Sequence, residues 1–351
     1  MHGEGNYLWS PEYPNLFEVT LELTDGESQN IIDTVHTYFG LRKIEAKNGM
    51  IYLNNRPYYQ KLVLDQGYWP QGLLTAAHDD DYRKDIELAK AMGFNGCRKH
   101  QKLEDPRFLY WADTLGFLVW EEGSSAPLFS PRSVQRVSQE WTEIIQRDKS
   151  HPSIIVWVPL NESWGVPSIN NSSSQQHYSQ ALYHLVKSLD STRLVDSNDG
   201  WEQTVTDICA VHNYCHGEVG DIKQYAEFAH SISDAHALVN YSLNGREIFA
   251  SGFSYMGQPI ILSECGGIAS AEDTDGWGYT TVATAEAFLE EYRRLIGAIY
   301  SSQSLWGFCY TQLTDVEQEK NGLLNYDRQP KCSLEELKKI NTAHHPHSLG
   351  R

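Results

Sequence analysis

Between Leu16 and Leu23 apolar and polar side chains alternate as Leu-Phe-Glu-Val-Thr-Leu-Glu-Leu, the period of two that turns one face of a β-strand toward a core. Asp25-Gly26 supplies a turn, and Ile31-Ile32 with Val35 to Phe39 supplies the returning strand. The pattern is that of the last hairpin of a β-sandwich. A two-stranded hairpin is marginal by itself in water, so residues 1–42 need a partner domain or docking onto the rest of the chain.

After the turn signals Asn48-Gly49 and Asn54-Asn55-Arg56-Pro57 the chain changes to short apolar runs separated by helical stretches. The runs are 59–64, 95–98, 117–120, 154–160, 193–196, 208–212, 260–263 and 305–310. Between them lie amphipathic helices at 81–92, 106–115, 133–147, 175–189 and 283–300, with Asp79-Asp80-Asp81 at one helix start and Gly93 and Gly116 as helix stops. Eight strands alternating with helices predict an α/β fold, a closed (β/α)8 TIM barrel over residues 43–343. A doubly wound sheet is the rival, and no Gly-x-Gly-x-x-Gly follows the first strand to support it. Asn170 to Gln176 reads as a mobile loop over the barrel mouth, and residues 344–351 as a flexible tail.

A length of 351 residues suits such a barrel with a smaller segment in front of it. The charge sum of −18, from 28 basic and 46 acidic residues, repels nucleic acid and anionic membranes, so neither is expected as a partner. No apolar run approaches the roughly 20 residues of a membrane helix. Met1 to Ser10 lacks the pattern of a secretory signal, which predicts a cytoplasmic protein, although a longer parent sequence leaves a signal peptide open. Six Cys without Cys-x-x-Cys spacing read as buried free thiols, and His344, His345 and His347 are assigned no metal. The 10 Trp and 20 Tyr against 11 Phe favour flat surfaces with a polar handle, as sugars require.

In a barrel of this kind chemistry sits at the carboxyl ends of the strands. There, strand four runs into Asn161-Glu162-Ser163-Trp164 and strand seven into Glu264-Cys265-Gly266-Gly267. Either Glu alone is compatible with a solvated loop carboxylate. Two carboxylates converging on one barrel mouth are what acetal cleavage needs, one to protonate the departing oxygen and one to attack the sugar carbon. Asn161 is placed to bond a sugar hydroxyl beside that carbon, and Tyr214 to hold a carboxylate through its phenol or to serve as a belt aromatic.

These residues and their surroundings resemble the catalytic domain of glycoside hydrolase family 2, which holds retaining β-galactosidases, β-glucuronidases and β-mannosidases. Phe39 to Arg42 with Leu53 to Pro57 is similar to the junction between that family's immunoglobulin-like sandwich and its barrel. Asn95 to Arg98, Trp157 to Glu162, Ile261 to Gly266 and Thr314 to Lys331 are similar to its signatures. The resemblance implies Glu162 as acid/base, Glu264 as nucleophile, Asn161 at the sugar 2-hydroxyl, Tyr214 beside the nucleophile, and Arg98 and His100 in the substrate site. Trp306 and Trp164 are candidate stacking residues, with a core role as the alternative. The family's Asn-x-His-Glu after strand one is replaced by Leu64 to Pro70, which makes Asp65 and Trp69 the candidates for the sugar's non-reducing end. Glu319-Lys320-Asn321 stands where glucuronidases carry Asn-x-Lys, so a neutral galactoside or mannoside is expected rather than a glucuronide. No cofactor and no required metal are expected.

The same resemblance marks what is missing, since the family's jelly roll and most of its sandwich are absent before Leu16. The alternative is therefore a catalytically silent carbohydrate-binding or truncated family member. An unrelated barrel lyase or aldolase would need a strand-end lysine, for which Lys99 is the one candidate. The oligomeric state is left open.

Overall fold

The computed structural model describes residues 7–242, 245–271, 276–345 and 347. Strands β1 (Phe17–Thr24) and β2 (Ile31–Phe39) form an antiparallel hairpin with Phe17 opposite Phe39. Its apolar side chains Leu21, Leu23, Ile31, Ile32 and Val35 are exposed. Contact with the rest of the chain is confined to its base, where Tyr38 Oη donates to Asp113 Oδ2 at 2.8 Å. Next in the chain, Arg42 donates to the carbonyls of Pro152 and Ile154.

A three-stranded antiparallel sheet comes next: β3 (Ile44–Lys47), β4 (Met50–Leu53) and β5 (Arg56–Pro57). Ile44, Ile51 and Leu53 join Trp9 in one apolar cluster with Leu62, Leu118, Ile155 and Trp306, so this sheet packs on the amino-terminal end of the barrel.

The eight parallel strands are β6 (Gln60–Asp65), β7 (Gly96–Lys99), β8 (Leu118–Glu122), β9 (Ile154–Val158), β10 (Leu194–Val195), β11 (Cys209–His212), β12 (Ile260–Gly266) and, after β13 (Ile268–Ser270) and β14 (Thr280–Val282), β15 (Leu305–Thr311). β6 pairs with both β7 and β15, which joins the first barrel strand to the last. The ladder runs unbroken from β10 through β9, β8, β7, β6, β15 and β12 to β11. Between β10 and β11 no ladder forms among the described residues. Loop 203–207 bridges that gap, with Asp207 N on Val195 O and Gln203 Nε2 on Ala210 O.

Strand periodicity sorts the core into two layers. Leu62 and Leu64 face the barrel interior while Val63 faces the helices, and Leu118 and Trp120 do the same around Val119. The helical layer comprises α1 (Asp79–Ala91), α2 (Pro106–Leu115), α3 (Pro131–Asp148), α4 (Ser173–Leu189), α5 (Ile222–Ser231), α6 (Ala235–Val239), α7 (Ala285–Ser301) and α8 (Leu334–Asn341). Caps set the boundaries: the Asp105 side chain accepts from Arg107 N before Pro106, and Gly116 ends α2 with φ 71°, where a side chain would be strained. Ser130 likewise caps α3 two residues ahead of the expected start, with Pro131 in the first turn.

Three expectations change. Part of 170–176 is the first turn of α4, and Asn170 is tied to Glu202 and to Ser251 N, so this segment is anchored rather than an open loop. Helices α5, α6 and α8 were not anticipated, being short and polar but side-chain capped by Asp221, Asp234 and Ser333. Most of the expected tail lies outside the described residues, while the His345 ring packs on Tyr59 and that of His347 on Trp306. No helix among the described residues is long and apolar enough to cross a membrane. All six Cys are free thiols.

Candidate active site

Glu264 lies inside β12, not beyond it, because Cys265 and Gly266 continue the ladder onto Tyr310 and Thr311 of β15. A carboxylate held in a strand has little freedom, and neighbours on three sides fix it further. Arg98 Nη1 donates to its Oε1 at 2.8 Å and Tyr214 Oη to its Oε2 at 2.6 Å. Burial alone would raise its proton affinity, but the positive charges of His212, Arg98 and His100 hold it below the ordinary glutamate value. The group is thus ionised and aimed.

Glu162 sits across the mouth on the turn after β9. Its backbone is left-handed (φ 51°), as is that of Ser163 (φ 59°), a geometry costing non-glycine residues of order 1 kcal/mol or more each. The turn is held in place by Glu162 N on Asp199 O at 2.9 Å and Ser163 N on Asn198 Oδ1 at 2.9 Å. The Glu162 side chain is 24% exposed against 7% for Glu264, so it is the more solvent-facing of the two carboxylates. Oxygens of the two carboxylates and a ring nitrogen of His212 all lie within 4.8 Å of one another. This is the one set among the described residues close enough to share a metal ion. Its donors are already engaged in ion pairs, since Arg98 lies on Glu264 and the imidazole of His212 on Glu162.

Arg98 organises the floor. Its guanidinium is fully buried and contacts Glu122 Oε2 at 2.7 Å, Asp199 Oδ2 at 2.6 Å, Glu264 Oε1 and, through Nη2, Asn161 Oδ1 at 2.9 Å. It therefore cannot touch a substrate, which corrects its expected place among the binding residues: it positions Glu264 and Asn161. With Oδ1 engaged by Arg98, what the Asn161 amide can still offer is its two N–H donors. His100 stays partly exposed with Nδ1 3.2 Å from Glu122 Oε1. Burial disfavours its charge, yet the hydrogen bond and charge of Glu122 lift its proton affinity above the ordinary imidazole value.

Three further expectations are corrected. Trp306 is the second residue of β15, five residues and roughly 16 Å of strand before Thr311 at the mouth, and is buried in the cluster at the opposite end of the barrel. Trp69 is buried edge-on to Tyr82 beneath the cations of Lys102 and Arg328, which occupy the ring faces a sugar would need. Asp65 is buried and paired at 2.7 Å with Lys99 Nζ. Lys99 also meets Glu104 at 2.6 Å, and although burial opposes its charge, these two carboxylates keep it a firm ammonium. A Schiff base needs a free amine, and Lys99 is instead buried between the carboxylates of Asp65 and Glu104. Trp164 is 59% exposed.

Several site residues escaped sequence reasoning: His212, Glu122, Asp199, Gln66, Gln312 and Tyr279. Tyr279 lies flat on Tyr214 at 3.6 Å. Gln66, one residue past β6, donates to Gln312 Oε1 and to Glu319 Oε2, and Asn321 also bonds Glu319, forming a polar rim with a carboxylate in it. His212 carried a signal, since it is a polar residue ending an apolar strand, the same pattern that singles out Glu264.

Against known proteins, the profile of the glycosyl hydrolases family 2 TIM barrel domain matches residues 44–345, and that of glycosyl hydrolases family 2 matches residues 4–42. The chain belongs to glycosyl hydrolase family 2. Among its relatives a β-galactosidase of Photobacterium profundum is 30% identical over 218 residues, 59% of this chain and 20% of that protein. A putative β-glucuronidase of Formosa agariphila is 33% identical over 185 residues, 51% of this chain and 22% of that protein. The chain thus matches about a fifth of the length of these curated relatives. The crystal structure of a family 2 β-galacturonidase from Eisenbergiella tayi bound to galacturonate shares the fold, with a TM-score of 0.74 and 20% identity, covering 100% of this chain and 61% of that one.

Within this family 2 barrel the Tyr214 contact is open to a direct test. A hydrogen bond to a charged group contributes about 1.5–3 kcal/mol, or roughly 10- to 100-fold. Tyr214→Phe is expected to lower kcat on aryl β-glycosides by that factor and to move the acidic limb of the pH profile upward, because the carboxylate loses a donor. An unchanged kcat and limb would refute the contact.

Proposed function

We propose that the protein is a retaining β-glycosidase of neutral β-glycosides, with Glu264 as nucleophile and Glu162 as acid/base. One observation carries the reading: an ionised, rigidly held carboxylate faces a more exposed one at a barrel mouth, with oxygens less than 4.8 Å apart. Retaining enzymes hold the pair about 5–5.5 Å apart, whereas inverting ones need about 6.5–9.5 Å to admit a water. Glu264 attacks the anomeric carbon while Glu162 gives its proton to the departing oxygen. Glu162 then takes a proton from water, whose oxygen displaces Glu264 with net retention. Asn161 donates to the sugar hydroxyl next to the reacting carbon, Tyr214 keeps the nucleophile aligned, His100 lines the wall, and exposed Trp164 offers a face to the leaving group.

The rim formed by Gln66, Gln312, Asn321 and Glu319 supports the choice of a neutral sugar. Hydroxyls satisfy those acceptors and donors, while a uronate would bring its charge against Glu319. A panel of chromogenic β-galactoside, β-mannoside, β-glucoside and β-glucuronide is expected to show a neutral glycoside turned over at least about tenfold faster than the glucuronide, about 1.4 kcal/mol of discrimination. A faster glucuronide overturns the neutral-sugar assignment. Sugar binding without turnover of any member would favour a silent module.

A further inference from the structure

Glu162, Glu264 and Asp199 come from three separate elements, yet one imidazole meets all of them. His212 ends β11 with Nδ1 2.8 Å from Glu162 Oε1 and 3.4 Å from Glu264 Oε2, and with Nε2 3.4 Å from Asp199 Oδ1. The ring is buried, and its seat is tight. Gly200 has φ 101°, and a Cβ there would stand 2.6 Å from the ring Nδ1, while Trp201 meets the ring edge-on at 5.5 Å. Both nitrogens therefore face carboxylate oxygens and the ring cannot swing away. A neutral imidazole would turn one lone pair toward a carboxylate, whereas the imidazolium donates from Nδ1 to Glu162 and sets its positive charge, not a lone pair, against Asp199.

We propose that His212 is a standing imidazolium that serves as counter-ion to the two reacting carboxylates in turn, a positioning residue for the whole cycle. The proposal rests on the assignment of Glu162 and Glu264 above. In the free enzyme Glu264 is the anion and Glu162 carries the proton. When Glu264 bonds the anomeric carbon and the C–O bond to the leaving group breaks, the proton of Glu162 goes to the departing oxygen. Negative charge has then vanished from Glu264 and appeared on Glu162, and the unmoved imidazolium still has an anion beside it. In the second step water gives its proton to Glu162 and its oxygen to the sugar, the ester to Glu264 breaks, and the first arrangement returns. One fixed charge thus offsets the carboxylate charge at both stages without moving.

The surrounding groups agree. Besides the three carboxylates, Arg98 lies behind Glu264 and Asp199, buried Asp196 sits next to Asp199, Tyr214 shares Glu264 Oε2, and Arg246 covers Trp201. Burial works against the charge on His212, but Glu264 and Asp199, with hydrogen bonds to Asp199 and Glu162, raise its pKa to about 10.

The test is His212→Gln, which preserves a donor to Glu162 and removes the charge. Without its positive neighbour Glu264 holds a proton more tightly, so the acidic limb of the kcat/KM profile is expected to move up by roughly 1–2 pH units. A merely structural role would lower the rate and leave that limb in place, and an unmoved limb overturns the proposal. His212→Asn, equally uncharged, is expected to give the same shift. Glu264→Gln measured in parallel separates the two levels. If it is inactive while the acidic limb of the His212 variants stays put, only the counter-ion role fails; if it is active, the glycosidase assignment itself fails. Should neither His212 variant fold, nitrogen NMR of the parent enzyme at about pH 8.5, some two units above an ordinary imidazole, decides. A doubly protonated ring that persists when His100 is replaced by Gln is expected there, and its absence overturns the proposal.

Discussion

Glu264→Gln is expected to lower kcat on aryl β-glycosides by on the order of 10^4- to 10^6-fold, the scale seen when a covalent nucleophile is removed. The amide keeps the volume and one acceptor but has no charge with which to form the glycosyl ester. Folding is expected to survive, because Arg98 retains Glu122 and Asp199 after losing its third carboxylate. Thermal unfolding of the variant within a few degrees of the parent separates lost chemistry from lost structure. Removing the side chain altogether, as Glu264→Ala, opens room for azide on the face that Glu264 occupied. Azide then attacks the β-glycoside directly and gives the α-glycosyl azide, and the parent enzyme releases the β-anomer first. Proton NMR of the first product checks both. Turnover by Glu264→Gln within tenfold of the parent, or an α-anomer released first by the parent, would sink the mechanism.

Glu162→Ala is expected to act selectively. General acid catalysis contributes about 10^2–10^4-fold, and only where the departing oxygen needs a proton. Alkyl β-glycosides should therefore lose that factor, while a dinitrophenyl glycoside, whose phenolate leaves unaided, should form the glycosyl-enzyme almost as fast as before. The second step then lacks its base, so a burst of phenolate followed by slow turnover is expected. Azide should restore the turnover and form the β-glycosyl azide, the anomer opposite to that from the Glu264 variant. The basic limb of the pH profile should vanish as well. Equal losses across all leaving groups would reassign Glu162 to a structural role.

How far the chain announces this site depends on the kind of information each part needs. Barrel strands are written locally, as apolar runs bounded by turns, so the βα alternation and the two strand-end glutamates are readable from neighbours in sequence. Burial at the site is not local. Arg98 reaches Glu264 across 166 positions, and only closure of the ring makes it a buried clamp rather than a substrate ligand. Two of the three tryptophans, Trp306 and Trp69, depart from expectation for a related reason. Trp306, Trp69 and Trp164 look alike in sequence, but which end of a strand they occupy, and which cations cover them, is decided by packing. His212 was legible in principle, since it is a polar residue ending an apolar strand just before Tyr214, yet nothing nearby in sequence marks the carboxylates it would meet.

The unlaced side of the barrel has a geometric consequence. Going round the ring from Glu162 on the β9 turn to Glu264 on β12, one crosses the gap between β10 and β11, where loop 203–207 stands in for backbone rungs. The arc between the two acids is therefore closed by side chains rather than by strand rungs, with Gln203 fully enclosed. Gln203, bonded to Ala210 of β11, and Asp207, bonded to Val195 of β10, thereby act as side-chain seams that close the ring where backbone pairing does not.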